Sequence, residues 1–179
     1  MKALLMSIDL SAQVLEALIW MLPAYVANAA PVVVARACRL RGELHPLDGG
    51  LVVWDGRRLF GENKTVEGFV GGLAGGSLAS ALLELFKLHT VWEGFVLSMG
   101  ALLGDLLGAF IKRRLGLAPG APAPLLDQLD FVFGSMALRS LVFGYVSWER
   151  IAIVVAITPL LHLATNAVAY ALGLKKHPW

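Results

Sequence analysis

Charge is scarce in this chain: only 16% of its 179 residues are Asp, Glu, Lys or Arg, against about 25% in a soluble domain. There is one cysteine, Cys38, which excludes an internal disulfide and a cysteine-built zinc site. None of the four histidines is spaced with a carboxylate as in a zinc peptidase, so that chemistry is set aside. No Ser/His/Asp set with supporting context is present either. Low-complexity segments and internal repeats are missing. A net charge of +2 with a pI near 8.9 gives no reason to expect nucleic acid as a partner.

What fills the chain instead is apolar. The AVILMFWYC set makes up 58% of residues and the mean hydropathy is +0.71, which excludes an ordinary water-soluble domain. A helix needs about 20 mostly apolar residues to cross the hydrocarbon core. Five runs meet that length, at about 17–35, 68–88, 92–111, 131–148 and 151–174. Barrel strands would alternate over about ten residues, and these runs do not. The expectation is an all-α integral membrane protein, a single polytopic domain over 1–179. It has five transmembrane helices, with a small hairpin or irregular cytoplasmic loop between helices 1 and 2.

Pro23 and Pro31 predict a kink or break in the first span. Ahead of it, Asp9, Gln13 and Glu16 share a helical face that suits an aqueous extension. Ala27-Asn28-Ala29 has the small-residue spacing of a signal-peptidase site, but those acids spoil the apolar region that should precede one. Basic residues set the orientation. Arg36, Arg39, Arg41, Arg57, Arg58, Lys64, Lys112, Arg113, Arg114, Lys175 and Lys176 gather on one side. Lys2, Lys87 and Arg150 fall on the other. This puts the N-terminus outside, with the loops at about 36–67 and 112–130 and the C-terminus in the cytoplasm. Short outer connections, at about 88–91 and 149–150, make spans two and three, and four and five, antiparallel neighbours. Gly68, Gly72, Gly76 and Gly100, Gly104, Gly108 form small-residue stripes for close helix packing. Near a phosphate, Gly104 would also allow close backbone approach.

Ionisable residues at membrane depth are costly and direct attention to function. Asp105 lies seven residues before Lys112, two turns along the same helical face. A structural ion pair with a basic residue is the plainer reading of it. Asp127 and Asp130 are three apart at the entry to span four, where acids also complement a helix dipole. Spans three and four would bring all three acids to the cytoplasmic boundary. Carboxylates without His or Cys favour a hard cation, Mg²⁺ before zinc.

Val52-Val53-Trp54 and Arg58-Leu59-Phe60 flank Asp55-Gly56 as a small hairpin. Gly61-Glu62-Asn63-Lys64-Thr65 then leads into span two. Amides at a helix start, with Asn63, Lys64 and Thr65, would seat a phosphate or serve only as a cap with a snorkelling Lys. A Walker A order of residues is absent. Lys112-Arg113-Arg114 is a topology anchor or, beside a metal cluster, a polyphosphate clamp. The stiff 120–124 loop (GAPAP) then delivers the chain to Asp127. His162, Thr165 and Asn166 share one face of span five and suit inter-helix hydrogen bonds. Glu84 and Arg139 read as structural or as lying near the outer boundary.

Three segments, 61–69 (GENKTVEGF), 104–115 (GDLLGAFIKRRL) and 121–131 (APAPLLDQLDF), together resemble the archaeal CDP-archaeol synthases. These are membrane cytidylyltransferases similar to the CDP-diacylglycerol synthases. The bacterial relatives end their signature in Gly-Gly-x-x-Asp-Arg-x-Asp, whereas this chain has Leu125-Leu126-Asp127-Gln128-Leu129-Asp130. The aspartates are kept, and the Gly pair and Arg are not. The resemblance implies transfer of the cytidylyl group of CTP to 2,3-bis-O-geranylgeranylglycerol 1-phosphate, an isoprenoid glycerol phosphate lipid, with release of pyrophosphate. It implies Mg²⁺ held by Asp105, Asp127 and Asp130, and the triphosphate held by Lys64 with Asn63 and Thr65. It also implies Lys112, Arg113 and Arg114 on the triphosphate or the lipid phosphate. A homodimer is left open. A CDP-alcohol phosphotransferase is a rival whose Asp-Gly-x-x-Ala-Arg signature is missing. A transporter or channel subunit with an acidic ion path is the non-enzyme alternative.

Overall fold

Thr65, Thr90 and Ser147 each begin a helix by the same device. Their extended backbone and side-chain oxygen satisfy an amide of the first turn: Gly68 N, Glu93 N and Arg150 N. The computed structural model describes residues 2–39, 42 and 44–174, with side chains from residue 9 onward and that of Arg39 excepted. Of the basic residues used for orientation, Arg41, Lys175, Lys176 and the side chains of Lys2 and Arg39 lie outside the described set.

Five helices result: α1 (Lys2–Arg39), α2 (Val66–Leu85), α3 (Val91–Arg114), α4 (Leu126–Phe143) and α5 (Trp148–Ala171). Four of them are long and apolar enough to cross a membrane. The exception is α4, whose 18 residues include Asp127, Asp130 and Arg139; at about 27 Å it has the length of a span. The boundaries shift in two places. Asp127 and Asp130 lie inside α4 rather than ahead of it, and Glu149 and Arg150 lie in the first turn of α5. The connection between α4 and α5 is therefore 144–147, opened by Gly144 at φ +85°.

The expected break in α1 does not occur: the helix runs through both prolines over 38 residues. The reason is packing. The Pro31 ring fits between Gly68 and Gly72 of α2, and Pro23 fits against Gly94 of α3. The Pro23 carbonyl, which lies against Gly76, accepts a hydrogen bond from Ser98 Oγ at 3.3 Å. The polar N-terminal extension is helical, with Gln13 Nε2 donating to Asp9 Oδ2 at 3.2 Å.

Helix α3 sits centrally, packed on α1, α2 and α4. Its glycine stripe faces α4 so closely that a Cβ at Gly100 would collide with the Gly134 carbonyl, and one at Gly104 with the Asp130 carbonyl. Met21, Leu97, Phe131, Val132 and Val154 fill the fully buried core between these helices. Helix α5 packs only on α1 and α4. It makes no close backbone approach to α3, and a cavity lies between the two.

The expected hairpin is present as a single antiparallel bridge, Val52 to Arg58. A second bridge, Pro46 to Thr65, ties the start of the loop to the start of α2.

Candidate active site

Asp48 organises the loop that carries Lys64. Its side chain is fully enclosed. It accepts hydrogen bonds from the amides of Gly50 (3.0 Å), Phe60 (3.1 Å) and Gly61 (3.0 Å) and pairs with Arg58. Burial pushes its carboxyl up, but Arg58 and the three amides outweigh that and hold it well below the usual carboxylate range. Gly61 then turns at φ +101°, a conformation glycine adopts freely. Lys64 N donates to Gly61 O at 3.2 Å, and the Lys64 side chain points into the bundle.

There Lys64 Nζ donates to both oxygens of Asp105 at 2.6 Å. A second pair lies beside it, Lys112 Nζ donating to Asp127 Oδ1 at 2.8 Å. The other oxygen of Asp127 accepts the Ala123 amide at 2.8 Å, so this one side chain fixes the end of the Gly/Pro loop to the first turn of α4, which has no side-chain cap of its own. Asp130 Oδ1 accepts the Phe131 amide at 2.6 Å, and its Oδ2 lies against Gly108. Asp105, Asp127, Asp130, Lys64, Lys112 and Arg113 line one cavity of about 150 Å³.

Two larger cavities meet that cluster. One, of about 720 Å³, is walled by Asn63, Lys64, Asp105, Lys112 and Asp127 on one side and by His162, Thr165 and Asn166 of α5 on the other. The second, of about 530 Å³, is mainly apolar, with Pro31, Val32, Phe69, Leu102 and Leu106 beside Lys64 and Thr65.

Not every expected residue reaches this site. The Thr65 hydroxyl caps α2. Gly104 is covered by the backbone of Asp130. Glu84 is exposed near the opposite end of α2. Arg114 is turned away from all three cavities. Its guanidinium lies over Phe110 at 4.9 Å and Trp54 at 5.7 Å, pairs with Asp55 at 3.0 Å and donates to the Arg58 carbonyl at 2.7 Å. It latches the hairpin to α3. Arg113 differs in place: it lines the cavity of about 150 Å³, is 6% exposed, and its Nη2 donates to Ala118 O at 3.1 Å. Its Nε and Nη1, like Nη1 of Arg114 and Nε of Arg58, have no hydrogen-bond partner among the described residues. Buried guanidinium donors without acceptors fit an anion site. Sequence reasoning missed Asp48, whose signal was only an Asp-Gly-Gly turn, and the place of Asn28, which lines both larger cavities and read only as the centre of a small-residue spacing.

Among the described residues, no three His, Cys, Asp or Glu side chains are gathered closely enough to hold an ion alone. The donor chemistry still suits magnesium, which usually takes one or two carboxylates and completes its shell with water and substrate phosphates. The two ammonium groups seated on Asp105 and Asp127 mark where positive charge is stable.

Charged residues converging on cavities inside a bundle of apolar helices define a membrane-embedded enzyme. The comparisons agree. Residues 10–179 match the family model described as CarS-like, CDP-archaeol synthase. The chain is 50% identical over 175 residues to the CDP-archaeol synthase of Thermofilum pendens, covering 98% of this chain and 86% of that one. It is 48% identical over 169 residues to that of Aeropyrum pernix, covering 93% and 92%. A solved structure of an intramembrane enzyme for archaeal membrane lipids biosynthesis superposes with a TM-score of 0.75 at 45% identity, covering 86% of this chain and 94% of that chain. The chain belongs to the CDP-archaeol synthase family.

Proposed function

We propose that these cavities bring CTP together with 2,3-bis-O-(geranylgeranyl)-sn-glycerol 1-phosphate and release CDP-2,3-bis-O-(geranylgeranyl)-sn-glycerol and pyrophosphate. By family the protein is a CTP-dependent nucleotidyltransferase, which sets the transporter alternative aside. One observation carries the assignment of sites: a polar, cation-lined cavity and an apolar one share the Lys64–Asp105 pair. A water-soluble triphosphate suits the first and isoprenoid chains suit the second.

The lipid phosphate is already an anionic nucleophile, so no protein nucleophile is required. One of its oxygens forms a bond to the α-phosphorus of CTP. The bond from that phosphorus to the bridging oxygen breaks, and its electron pair leaves with pyrophosphate. Lys64, with Asn63, and Lys112 hold the phosphates in line, and the orphaned donors of Arg113 face the charge gathering on the leaving group. Asp105, Asp127 and Asp130 are the residues that would hold Mg²⁺, and when bound the ion neutralises phosphate charge during the displacement. Arrival of the nucleotide draws Lys64 and Lys112 from their carboxylates toward phosphate, which frees those oxygens. All these groups belong to one chain, so the chemistry does not call for a homodimer.

The excess of basic residues on the side of the two long loops supports an N-terminus outside and an active site at the cytoplasmic face. Purified protein given CTP, Mg²⁺ and the archaeal lipid phosphate should release pyrophosphate, and EDTA should abolish the release. Absence of release from folded protein under those conditions defeats the reading.

A further inference from the structure

Four residues line both the apolar and the polar cavity: Asn28, Asn63, Lys64 and Asp105. Lys64 and Asp105 hold each other, and Asn63 is exposed on the loop. Asn28 differs. It lies in α1, eleven residues before its end at Arg39, or about 16 Å along the helix. Asp105 lies nine residues before the end of α3, or about 14 Å. Two helices, α1 and α3, thus each carry a polar group to the boundary that the two cavities share.

The surroundings of Asn28 make its amide hard to explain by folding. Its neighbour Ala27 is fully buried, with its carbonyl pressed on Gly72, so α1 packs on α2 through Ala27 and Pro31. The half-buried Asn28 is left facing the cavities. Its side chain makes no hydrogen bond with any described residue. An amide inside a membrane helix normally finds a partner in a neighbouring helix, whereas this one is left open to the two cavities.

On the proposed reaction, we infer that Asn28 donates its amide N–H to the attacking phosphate of the lipid and holds it at the boundary between the two cavities. The choice of a neutral donor has a chemical reason. Another cation here would bind the phosphate more tightly but withdraw charge from the oxygen that must attack. An amide orients that oxygen and leaves its charge in place. CTP, held by Lys64, Lys112 and Arg113, does not need Asn28 in order to bind.

The test uses full-length enzyme with Asn28→Ala and Asn28→Leu. The leucine variant keeps the volume and suits a membrane helix, so it separates loss of the donor from loss of packing. Pyrophosphate release is measured against lipid phosphate concentration, and CTP binding is measured without lipid. A hydrogen bond to a charged group is worth roughly 10- to 100-fold. Both variants should therefore lose about that factor in kcat/KM for the lipid phosphate while binding CTP within about twofold of wild type. If either folded variant keeps lipid kcat/KM within about twofold, the assignment is overturned. A parallel fall in CTP affinity overturns it too, by showing that the residue serves the nucleotide or the fold. A wild-type enzyme that releases no pyrophosphate defeats the reaction itself, which is a separate failure.

Discussion

Each end of the helix bundle buries acids against bases, and the two ends finish the job differently. At the end away from the loops, Glu93 Oε1 accepts Arg139 Nε at 2.9 Å and Trp20 Nε1 at 3.0 Å. Arg139 Nη1 also donates to the carbonyls of Gly144 and Tyr145, and its guanidinium lies over Phe143 and Trp20. Nearby, the buried His89 is held between the Trp20 and Thr90 carbonyls and Ser80. No cavity lined by Glu93 or Arg139 opens beside them among those described. At the loop end, the Lys64–Asp105 and Lys112–Asp127 pairs line cavities of about 150 to 720 Å³. Among the described residues, two donors of Arg113 are left without a partner there. Saturated polarity locks helices together, whereas unsaturated polarity beside open space is able to receive a ligand.

That contrast is broken most directly by exchanging the outcomes. Asp105→Asn should lower pyrophosphate release about a thousandfold, or ~4 kcal/mol of barrier. It should change stability by less than about 1 kcal/mol, because the pair is partly solvated. Turnover and thermal unfolding measured on the same preparation check it. A variant that unfolds but keeps turnover per folded molecule would place this pair with the structural cluster. Next in size, Arg139→Ala leaves the Glu93 carboxylate half-buried without its cation, which costs about 3 kcal/mol. Turnover per folded molecule should stay near wild type, since Arg139 lines none of the cavities. A folded Arg139→Ala enzyme with a hundredfold loss of turnover would erase the distinction.

The difference between the ends was only half legible in the sequence. Asp105, Asp127, Lys64 and Lys112 stood out because each interrupts or borders an apolar run, and interruption is a local signal. Arg139 stood out for the same reason, but its partner Glu93 is 46 positions away in the first turn of another helix. There Glu93 resembles an ordinary helix-start acid. Arg114 looked like its neighbours Lys112 and Arg113, yet a helix turns each successive residue to a new face. Its face meets Trp54 and Phe110, which only the folded hairpin brings together. The prolines of α1 misled for a related reason: their cost was visible, but the glycine notches that receive them lie in α2 and α3.

The supporting loop sharpens the comparison further. Asp48 is a saturated acid, like Glu93, yet it stands at the loop end, where the cavities open. It should therefore act through Lys64 alone. Asp48→Asn loses the charge that holds Arg58 and three amides, which should cost about 2 kcal/mol of stability. It should raise KM for CTP more than it lowers kcat. The pH sign follows from its lowered carboxyl. The stabilisation is fully present above the unfolded value near about 4 and is lost as pH falls from there toward the folded value. Wild-type unfolding temperature should fall with pH below about 4 more steeply than that of Asp48→Asn. Parallel curves would remove Asp48 from this role.

The smallest expected effect concerns the two ends of α4, which repeat the contrast within one helix. Its C-terminal turn uses Gly144 at φ +85°, a conformation glycine adopts without cost. Its N-terminal turn uses Leu125 at φ +66° and ψ −46°, close to the rare and strained γ-turn geometry. The side chain is 63% exposed, so packing does not repay the strain, and Asp127 begins two residues later. Leu125→Gly should relieve about 2 kcal/mol of strain and lose part of that to unfolded-chain entropy. The net gain is about 1 kcal/mol, or roughly 3 °C in unfolding temperature. Leu125→Ala keeps the Cβ and should gain nothing. If the strained turn holds Asp127 in register with Lys112, the glycine variant should be more stable and several-fold slower. A gain in stability with no loss of turnover would mean that the strain is tolerated and does not serve the site.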